Sequence, residues 1–267
     1  MRERVIELPQ GQAALLCEPD VAGSDLAVVL FNAGGLHRSG PFRLYVALAR
    51  TLAAAGVPCL RFDQPGVGDA LGSAERPLPE LMRANLDALA AASGCRRFVV
   101  GGICSAADLG WRLALTDARV AGLLLLDPLA RREAAGFRLG QLRMLLARGP
   151  GGWWELARRR LLRQDPPAQA QVDAELRDWP APGEEAVQLR HLLDRDLRLF
   201  MLYTGGAARY MTSLRQVRRG FGAGIEDRRV WLQHWHDCDH LFYRPQHRER
   251  LIAAVRQWLQ QQFGSAA

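Results

Sequence analysis

A single cysteine stands where an apolar segment gives way to a helical pattern. Residues 97–103 form an apolar run that ends in Gly102-Ile103-Cys104-Ser105-Ala106, after which the spacing becomes helical. The pattern predicts a strand, a sharp turn and a helix, with the thiol at the apex of the turn. A thiolate in such a place is a nucleophile, although free cysteines are also among the residues most often buried in cores.

A reactive thiol needs a proton acceptor, and three histidines lie close together near the end of the chain. Residues 234–242 read His-Trp-His-Asp-Cys-Asp-His-Leu-Phe. Imidazole is the most frequent general base in enzymes, so His234, His236 and His240 are the candidates. His234 and His236 share one face of a strand-like stretch, where a partly buried strand end is the plainer explanation.

The same segment also raises the hypothesis of a metal site. Imidazole together with thiolate suits zinc. Five potential ligands within seven residues cannot all converge on one ion, however, and the sequence offers no second ligand cluster. We therefore favour acid–base chemistry and expect neither a metal nor another cofactor. The residues in question are His234, His236, Asp237, Cys238 and His240.

These distant side chains need a scaffold, and the order of predicted elements supplies one. Strands and helices alternate, which predicts an α/β fold with a mostly parallel sheet and helices on both of its faces. The predicted strands are residues 4–8, 12–17, 26–31, 58–62, 97–103, 120–126, 197–203 and 229–233, and the predicted helices are 41–55, 79–92, 105–116 and 248–262.

Three of these strands end in loops with distinctive residues, in an order found in one superfamily. The strand at 26–31 is followed by Asn32-Ala33-Gly34-Gly35, and the strand at 58–62 is followed by an Asp/Gly/Pro loop at 63–69. The strand at 97–103 is followed by Cys104. Over nearly its whole length the chain resembles the α/β-hydrolase superfamily. It is similar in particular to the hydrolases associated with exosortase A systems, one branch of which carries cysteine at the nucleophile position. The segments that carry this closer similarity are Asn32-Ala33-Gly34, residues 48–56, Arg61-Phe62-Asp63 and Gly102-Ile103-Cys104.

The resemblance implies roles for individual residues. Cys104 would be the nucleophile, and the phrase Asp-His-Leu-Phe ahead of the last helix resembles the catalytic histidine site, which assigns the base to His240. The oxyanion would be held by the backbone N–H of Ser105. A second N–H would come from Ala33, Gly34 or Gly35, in the loop after the predicted strand 26–31.

The third catalytic member departs from the pattern of the superfamily. Relatives usually place an aspartate just beyond the strand that follows the insertion, whereas this chain reads Thr-Gly-Gly-Ala-Ala-Arg-Tyr over 204–210 and has no acid before Glu226. Asp127 ends the preceding strand, a position that some lipases of this fold use. Its alternative role is to open the turn before Pro128. Weaker candidates are Asp237, Asp239, Glu226 and Asp227.

Residues 129–196 interrupt the alternation with helical, Leu-, Arg- and Trp-rich segments. By resemblance this is a lid inserted between two parts of the core, 1–128 and 197–267, that covers the site and shapes a substrate pocket. Trp153, Trp154 and His37 are the candidate pocket residues. The apolar residues of the insertion could join them, but a small core of its own is the favoured explanation. Those residues are Leu139, Leu142, Met144 and Leu145.

Composition narrows the class of protein further. At 267 residues and 49% hydrophobic content the chain can bury one large α/β domain. The net charge is +7, but the basic residues are all arginine and are spread out, with no nucleic-acid-binding motif among them. The start lacks the apolar region of a signal peptide, and no apolar run has the length of a membrane span. Five cysteines without close pairs argue against a disulfide framework, so a cytoplasmic location is expected.

The sequence thus favours an acyl-transfer enzyme that works through a thioester at Cys104. Water as acceptor would make it an esterase or thioesterase, and an alcohol or amine would make it an acyltransferase. The substrate would be a small or carrier-bound acyl compound, in bacterial surface-polysaccharide or specialised biosynthesis as the resemblance implies. The alternative is a catalytically inactive binding protein that keeps the fold. Oligomeric state does not follow from the sequence.

Overall fold

The structure is a computed structural model of the 267-residue chain. It describes residues 1–128 except 22 and 75, residue 130, residues 180–181 and residues 183–264. Between them it also describes the isolated positions 146, 149, 151, 153, 154 and 158.

A single mixed sheet runs through the described part of the chain. Its strand order is β1-β2-β4-β3-β5-β6-β7-β8, with β1 and β2 antiparallel at one edge and all neighbours from β4 to β8 parallel. The predicted α/β-hydrolase fold with a mostly parallel sheet is confirmed. The strands are β1 Arg2–Glu7, β2 Ala13–Glu18, β3 Leu26–Leu30, β4 Cys59–Phe62, β5 Arg97–Ile103, β6 Val120–Leu126, β7 Arg198–Thr204 and β8 Val230–Trp235.

Helices cover both faces of this sheet. One hydrophobic core lies between the sheet and α2, α3, α4 and α5, and a second lies between the sheet and α1 and α6. Strand β3 is buried along its whole length, as a strand covered on both faces must be. The helices are α1 Leu44–Ala54, α2 Leu78–Ser93, α3 Ser105–Thr116, α4 Glu184–Asp194, α5 Leu214–Phe221 and α6 Pro245–Phe263.

Two boundaries differ from the sequence prediction for identifiable reasons. The helix expected over 41–55 begins with a 3-10 turn, Pro41–Arg43, because Phe42 and Arg43 have φ angles of 49° and 61° that an α-helix cannot accommodate. Strand β8 runs two residues further than the predicted 229–233. Its pairing with β7 continues to Trp235, so His234 lies within the sheet.

Helix α4 falls inside the stretch 129–196 that the sequence assigns to an insertion, yet it packs into the main core. Leu189, Leu192 and Leu193 are buried in the same cluster as Leu123 and Leu125 of β6. The indole of Trp111 on α3 donates a hydrogen bond to Gln188 on α4, at 2.8 Å. This helix therefore helps to form the layer that covers the sheet, while the predicted division of the chain at residues 128 and 196 stays a prediction.

None of the helices in the described ranges combines the length and the hydropathy that crossing a bilayer requires.

Candidate active site

Cys104 occupies the sharp turn between β5 and α3. Its backbone angles, φ 59° and ψ −122°, are ones that a residue with a side chain adopts rarely and at a cost in strain. The turn is possible because its neighbours are small. A Cβ atom on Gly102 would lie 2.8 Å from the carbonyl oxygen of Phe31 and 3.0 Å from Cβ of Ala106. The Gly-x-Cys-x-Ala spacing is thus a steric requirement of the turn.

Cys104 is also the cysteine that solvent can reach. All five cysteines lie in described segments, and the other four are buried, whereas Cys104 is half-buried. Burial raises the pKa of Cys17 to about 11, with a contribution from its hydrogen bond to Glu3, and raises the pKa of Cys238 to about 12. Those thiols remain protonated at neutral pH, so they are unreactive in the folded protein.

His240, which follows β8, lies against Cys104 and Asp127. Its Nδ1 is 2.6 Å from Oδ2 of Asp127, and Cys104 is near enough to contribute to the raised pKa of the ring. Burial acts to lower the pKa of His240, but the hydrogen bonds to Asp127 and Cys104 and the charges of these two groups outweigh it and raise the pKa to about 10. The arrangement favours the protonated form of the His240 ring.

Asp127 is held in place from β7. Its carboxylate is fully buried at the end of β6, with a φ of 49°. The backbone N–H of Thr204 donates to Oδ1 at 2.5 Å, and the Thr204 hydroxyl donates to Oδ2 at 2.6 Å. The Tyr210 hydroxyl donates to the Asp127 carbonyl oxygen at 2.9 Å. Sequence reasoning missed Thr204 and Tyr210, since neither belongs to a motif.

Two glycines in the loop after β7 make room for the segment that carries His240. A Cβ atom on Gly206 would lie 2.6 Å from Cβ of His240 and would also clash with the backbone nitrogen of that residue. A Cβ atom on Gly205 would clash with the carbonyl oxygen of His236. Gly205 N–H donates to the Cys238 carbonyl at 2.9 Å. The two glycines therefore fix the distance between β7 and the segment that carries His240.

The four weaker acid candidates make other contacts. Asp237 lies 3.4 Å from His247 and 3.5 Å from Arg250, and Asp239 accepts hydrogen bonds from the backbone that follows it. Glu226 pairs with Arg218, and Asp227 pairs with Arg229. Only Asp127, among the carboxylates singled out from the sequence, has a hydrogen bond to His240.

The loop after β3 approaches the first residue of α3. Gly34 N–H donates to Oγ of Ser105 at 3.0 Å. The backbone N–H of Ser105 is at the start of the helix, where N–H groups lack a helical partner. The expected oxyanion donors Ser105 and Gly34 thus lie together, with the flanking Ala33 and Gly35 on the same loop.

His37, a candidate pocket residue, belongs to an ion-pair network. Its Nε2 is 3.3 Å from Asp69 and 3.5 Å from Asp63, and its Nδ1 contacts Ser39 at 3.0 Å. Within the described ranges, His37, Asp63 and Asp69 are the one group of three metal-type ligands in mutual reach. Arg38 makes ion pairs with both carboxylates, and its hydrogen bond lowers the pKa of Asp69. The guanidinium already supplies the cation there.

The segment around His234 does not assemble three such ligands in the described structure. The rings of His234 and His236 lie with their centroids 3.7 Å apart, on one face as the sequence suggested. Burial, together with the charge of His236, lowers the pKa of His234 to about 4, against an opposing effect of Asp127. His234 is therefore a neutral neighbour of the site.

A cavity of about 260 Å³ lies between α3 and α4, and Asp127, Cys104 and His240 are not in its lining. Trp111, Leu125, Met201 and Phe221 supply its apolar wall. The predicted pocket residues Trp153 and Trp154 are not among the lining residues, and their exposed fractions are 46% and 72%. Leu139, Leu142, Met144 and Leu145 lie outside the described residues.

A strained elbow on a doubly covered, mostly parallel sheet, with a histidine after the last strand, is the arrangement of a hydrolase-type α/β protein. A model of the alpha/beta hydrolase family matches residues 28–264. The chain belongs to this family.

Solved structures from several bacteria share the fold. A proline iminopeptidase from Mycobacterium smegmatis is 19% identical, with 100% of each chain covered and a TM-score of 0.59. A thermophilic esterase from Thermogutta terrifontis is 18% identical, with 98% of this chain and 99% of that chain covered and a TM-score of 0.57. A protein of unknown function from Agrobacterium tumefaciens is 11% identical, with 98% and 96% covered and a TM-score of 0.62. No curated protein is significantly similar in sequence to this chain.

Proposed function

We propose that the protein is an acyl-transfer enzyme of the esterase or thioesterase type, with Cys104 as nucleophile, His240 as acid and base, and Asp127 as the residue that orients His240. The observation that carries this proposal is the position of one imidazole ring, which lies 2.6 Å from a buried carboxylate and close enough to the thiol at the elbow for Cys104 to help raise its pKa. A pair of this kind is the usual requirement for an activated nucleophile.

The raised pKa of His240 supports its role as the group that accepts the thiol proton. With Nδ1 held by Asp127, Nε2 is the nitrogen left for the sulfur. The positive end of the α3 dipole also favours an anion at Cys104. Transfer of the thiol proton to this ring would give the thiolate that attacks the substrate.

The reaction follows from these positions. The Cys104 thiolate forms a C–S bond to the acyl carbon, and the carbonyl electron pair moves to oxygen. Collapse of that oxyanion expels the leaving group, which takes the proton from His240 and leaves a thioester. His240 then accepts a proton from water, the resulting hydroxide attacks the thioester, and the thiolate departs. An alcohol or amine in place of water would give acyl transfer.

The substrate would be a small or carrier-bound acyl compound. The cavity between α3 and α4 supports an apolar acyl group, because its wall is largely apolar and it begins one helical turn from Cys104, at Ala107. The similarity of Asn32-Ala33-Gly34 and Gly102-Ile103-Cys104 to the exosortase A-associated hydrolases further supports a biosynthetic setting in bacteria.

A non-catalytic binding protein with this fold is the second candidate, and chemical labelling separates the two. Limiting iodoacetamide and p-nitrophenyl butyrate are applied to the parent protein, and the adducts are mapped by mass. We expect an acyl adduct on Cys104 and a rate of acylation that falls about 10²-fold or more in His240→Ala. His234→Ala is the matched control, since it removes a neighbouring imidazole and should keep the parent rate.

Exposure alone already favours labelling of Cys104, so the dependence on His240 decides the outcome. A Cys104 that reacts equally fast in the parent and in His240→Ala, or that forms no acyl adduct, would support the binding protein.

A further inference from the structure

Gly34, one of the three candidate donors in the loop after β3, already uses its N–H in a hydrogen bond to a side chain. It donates to Oγ of Ser105 at 3.0 Å, so it does not point freely into the site. A hydroxyl has one hydrogen to donate and can accept two hydrogen bonds. Accepting from Gly34 therefore leaves the Ser105 hydroxyl hydrogen for another partner.

That hydrogen has no acceptor in the part of the chain that the structure describes. Ser105 makes one side-chain hydrogen bond there, the one it accepts from Gly34. The residue is half-buried, directly follows Cys104 and contacts the loop after β3. The oxyanion would form between the elbow and this loop, next to the sulfur.

We propose that the Ser105 hydroxyl is itself a catalytic oxyanion donor, and that Gly34 orients and polarises this hydroxyl. This inference rests on the proposed function. The oxyanion would receive two hydrogen bonds from one residue, from the backbone N–H and from the hydroxyl of Ser105. When the Cys104 thiolate adds to the acyl carbon, the electron pair released to oxygen is stabilised by both. No proton leaves the hydroxyl, so Ser105 is unchanged when the tetrahedral intermediate collapses to the thioester.

Gly34 has a defined part in this arrangement. A hydroxyl that accepts a hydrogen bond becomes a stronger donor, because hydrogen bonds in a chain polarise one another. The same bond fixes the rotation of the Ser105 side chain before substrate binds. Preorganised donors of this kind stabilise developing charge without a cost of reorganisation during the reaction.

The alternative is that the Ser105 hydroxyl only accepts the Gly34 hydrogen bond until the oxygen of a substrate takes its place. In that case a substrate would have to displace Ser105 from Gly34, and removal of the hydroxyl would free the N–H. Ser105→Ala would then acylate faster than the parent protein. The two explanations predict changes of opposite sign.

The experiment compares two reactions of the same sulfur. Acylation by p-nitrophenyl butyrate builds an oxyanion, whereas alkylation by iodoacetamide displaces iodide and builds none. In Ser105→Ala we expect the kcat for the ester to fall about 10²- to 10³-fold, with KM little changed and with the alkylation rate of Cys104 as in the parent. Ser105→Thr keeps the hydroxyl and should recover most of the loss.

Ser73→Ala is the matched control. This serine is exposed in the loop after β4, so both reactions should keep their parent rates. An unchanged or faster acylation in Ser105→Ala would overturn the proposal. Equal losses of acylation and alkylation would also overturn it, because the hydroxyl would then be holding the elbow. A parent protein that alkylates at Cys104 but never acylates would contradict the proposed function itself.

Discussion

The buried carboxylate of Asp127 is the acid that we propose to orient His240 in a chain that lacks an acid just after β7. It accepts hydrogen bonds from the N–H and hydroxyl of Thr204 and lies 2.6 Å from His240. These three hydrogen bonds, from two residues, fix the position of the carboxylate. Strand β7 thus contributes a threonine that holds an acid at the end of the neighbouring strand β6.

Substitution of Asp127 tests this arrangement at the residue scale. Asp127→Asn should reduce kcat/KM for p-nitrophenyl butyrate about 10²-fold, because an amide neither fixes the ring nor stabilises its charge. It should also lower the pKa of His240 from about 10, as measured by NMR titration of the imidazole.

Asp237→Asn serves as the control, since that exposed carboxylate contacts His247 and Arg250. Parent-like activity in Asp127→Asn would mean that Asp127 has only a structural part in the turn before Pro128.

The pKa of His240 also predicts how stability varies with pH. Because the pKa is raised from 6.5 to about 10 on folding, protonation of the ring stabilises the folded state. This contribution is complete below about pH 6.5 and is lost as the pH rises through about 10. Denaturant unfolding at pH 6.5, 8 and 10 should therefore show a difference between the parent and His240→Ala that shrinks as pH rises. A difference independent of pH would contradict the raised pKa.

At the scale of elements, the approach of the histidine loop to β7 depends on glycine. Gly206→Ala would place a methyl group 2.6 Å from Cβ of His240, so the loop must shift. A displacement of about 1 Å can cost 10²-fold in rate, and we expect a loss of that order in kcat/KM with the circular dichroism spectrum retained. Gly220→Ala in α5 is the control, since nothing lies within 4 Å of its Cβ, and full activity in Gly206→Ala would refute the steric argument.

The sequence predicted much of this arrangement, because several features are local. The elbow at Cys104 and the histidine site at His240 each lie within a few consecutive residues, and the missing acid after β7 directed attention to Asp127. The contact with Thr204 could not be foreseen in this way. Asp127 and Thr204 are 77 residues apart in the chain. They meet because the parallel register pairs Leu126 with Leu202. The bond from Gly34 to the Ser105 hydroxyl likewise joins residues 71 apart.

At the scale of the whole molecule, the burial of α4 bears on where the inserted segment ends and the main core resumes. Leu189 is fully buried in the core beside the sheet, although the sequence placed it in the inserted segment. Leu189→Ala should lower the free energy of global unfolding by about 2–5 kcal/mol, measured by denaturant unfolding followed through circular dichroism. Val187→Ala on the same helix is the control. Its side chain is 66% exposed, so a change within about 0.5 kcal/mol is expected.

An unaltered unfolding transition in Leu189→Ala would mean that α4 belongs to a unit that unfolds separately. The insertion would then extend to residue 196, as the sequence division has it.

Because the five cysteines differ in accessibility, the folded and unfolded chains should react with different numbers of equivalents of a thiol reagent. One sulfur, that of Cys104, can be titrated by a chromogenic disulfide reagent in the native state, while four are shielded. Complete unfolding makes all five available. The ratio of equivalents consumed before and after denaturant is therefore an internal gauge of how much of a preparation is correctly folded, without any substrate.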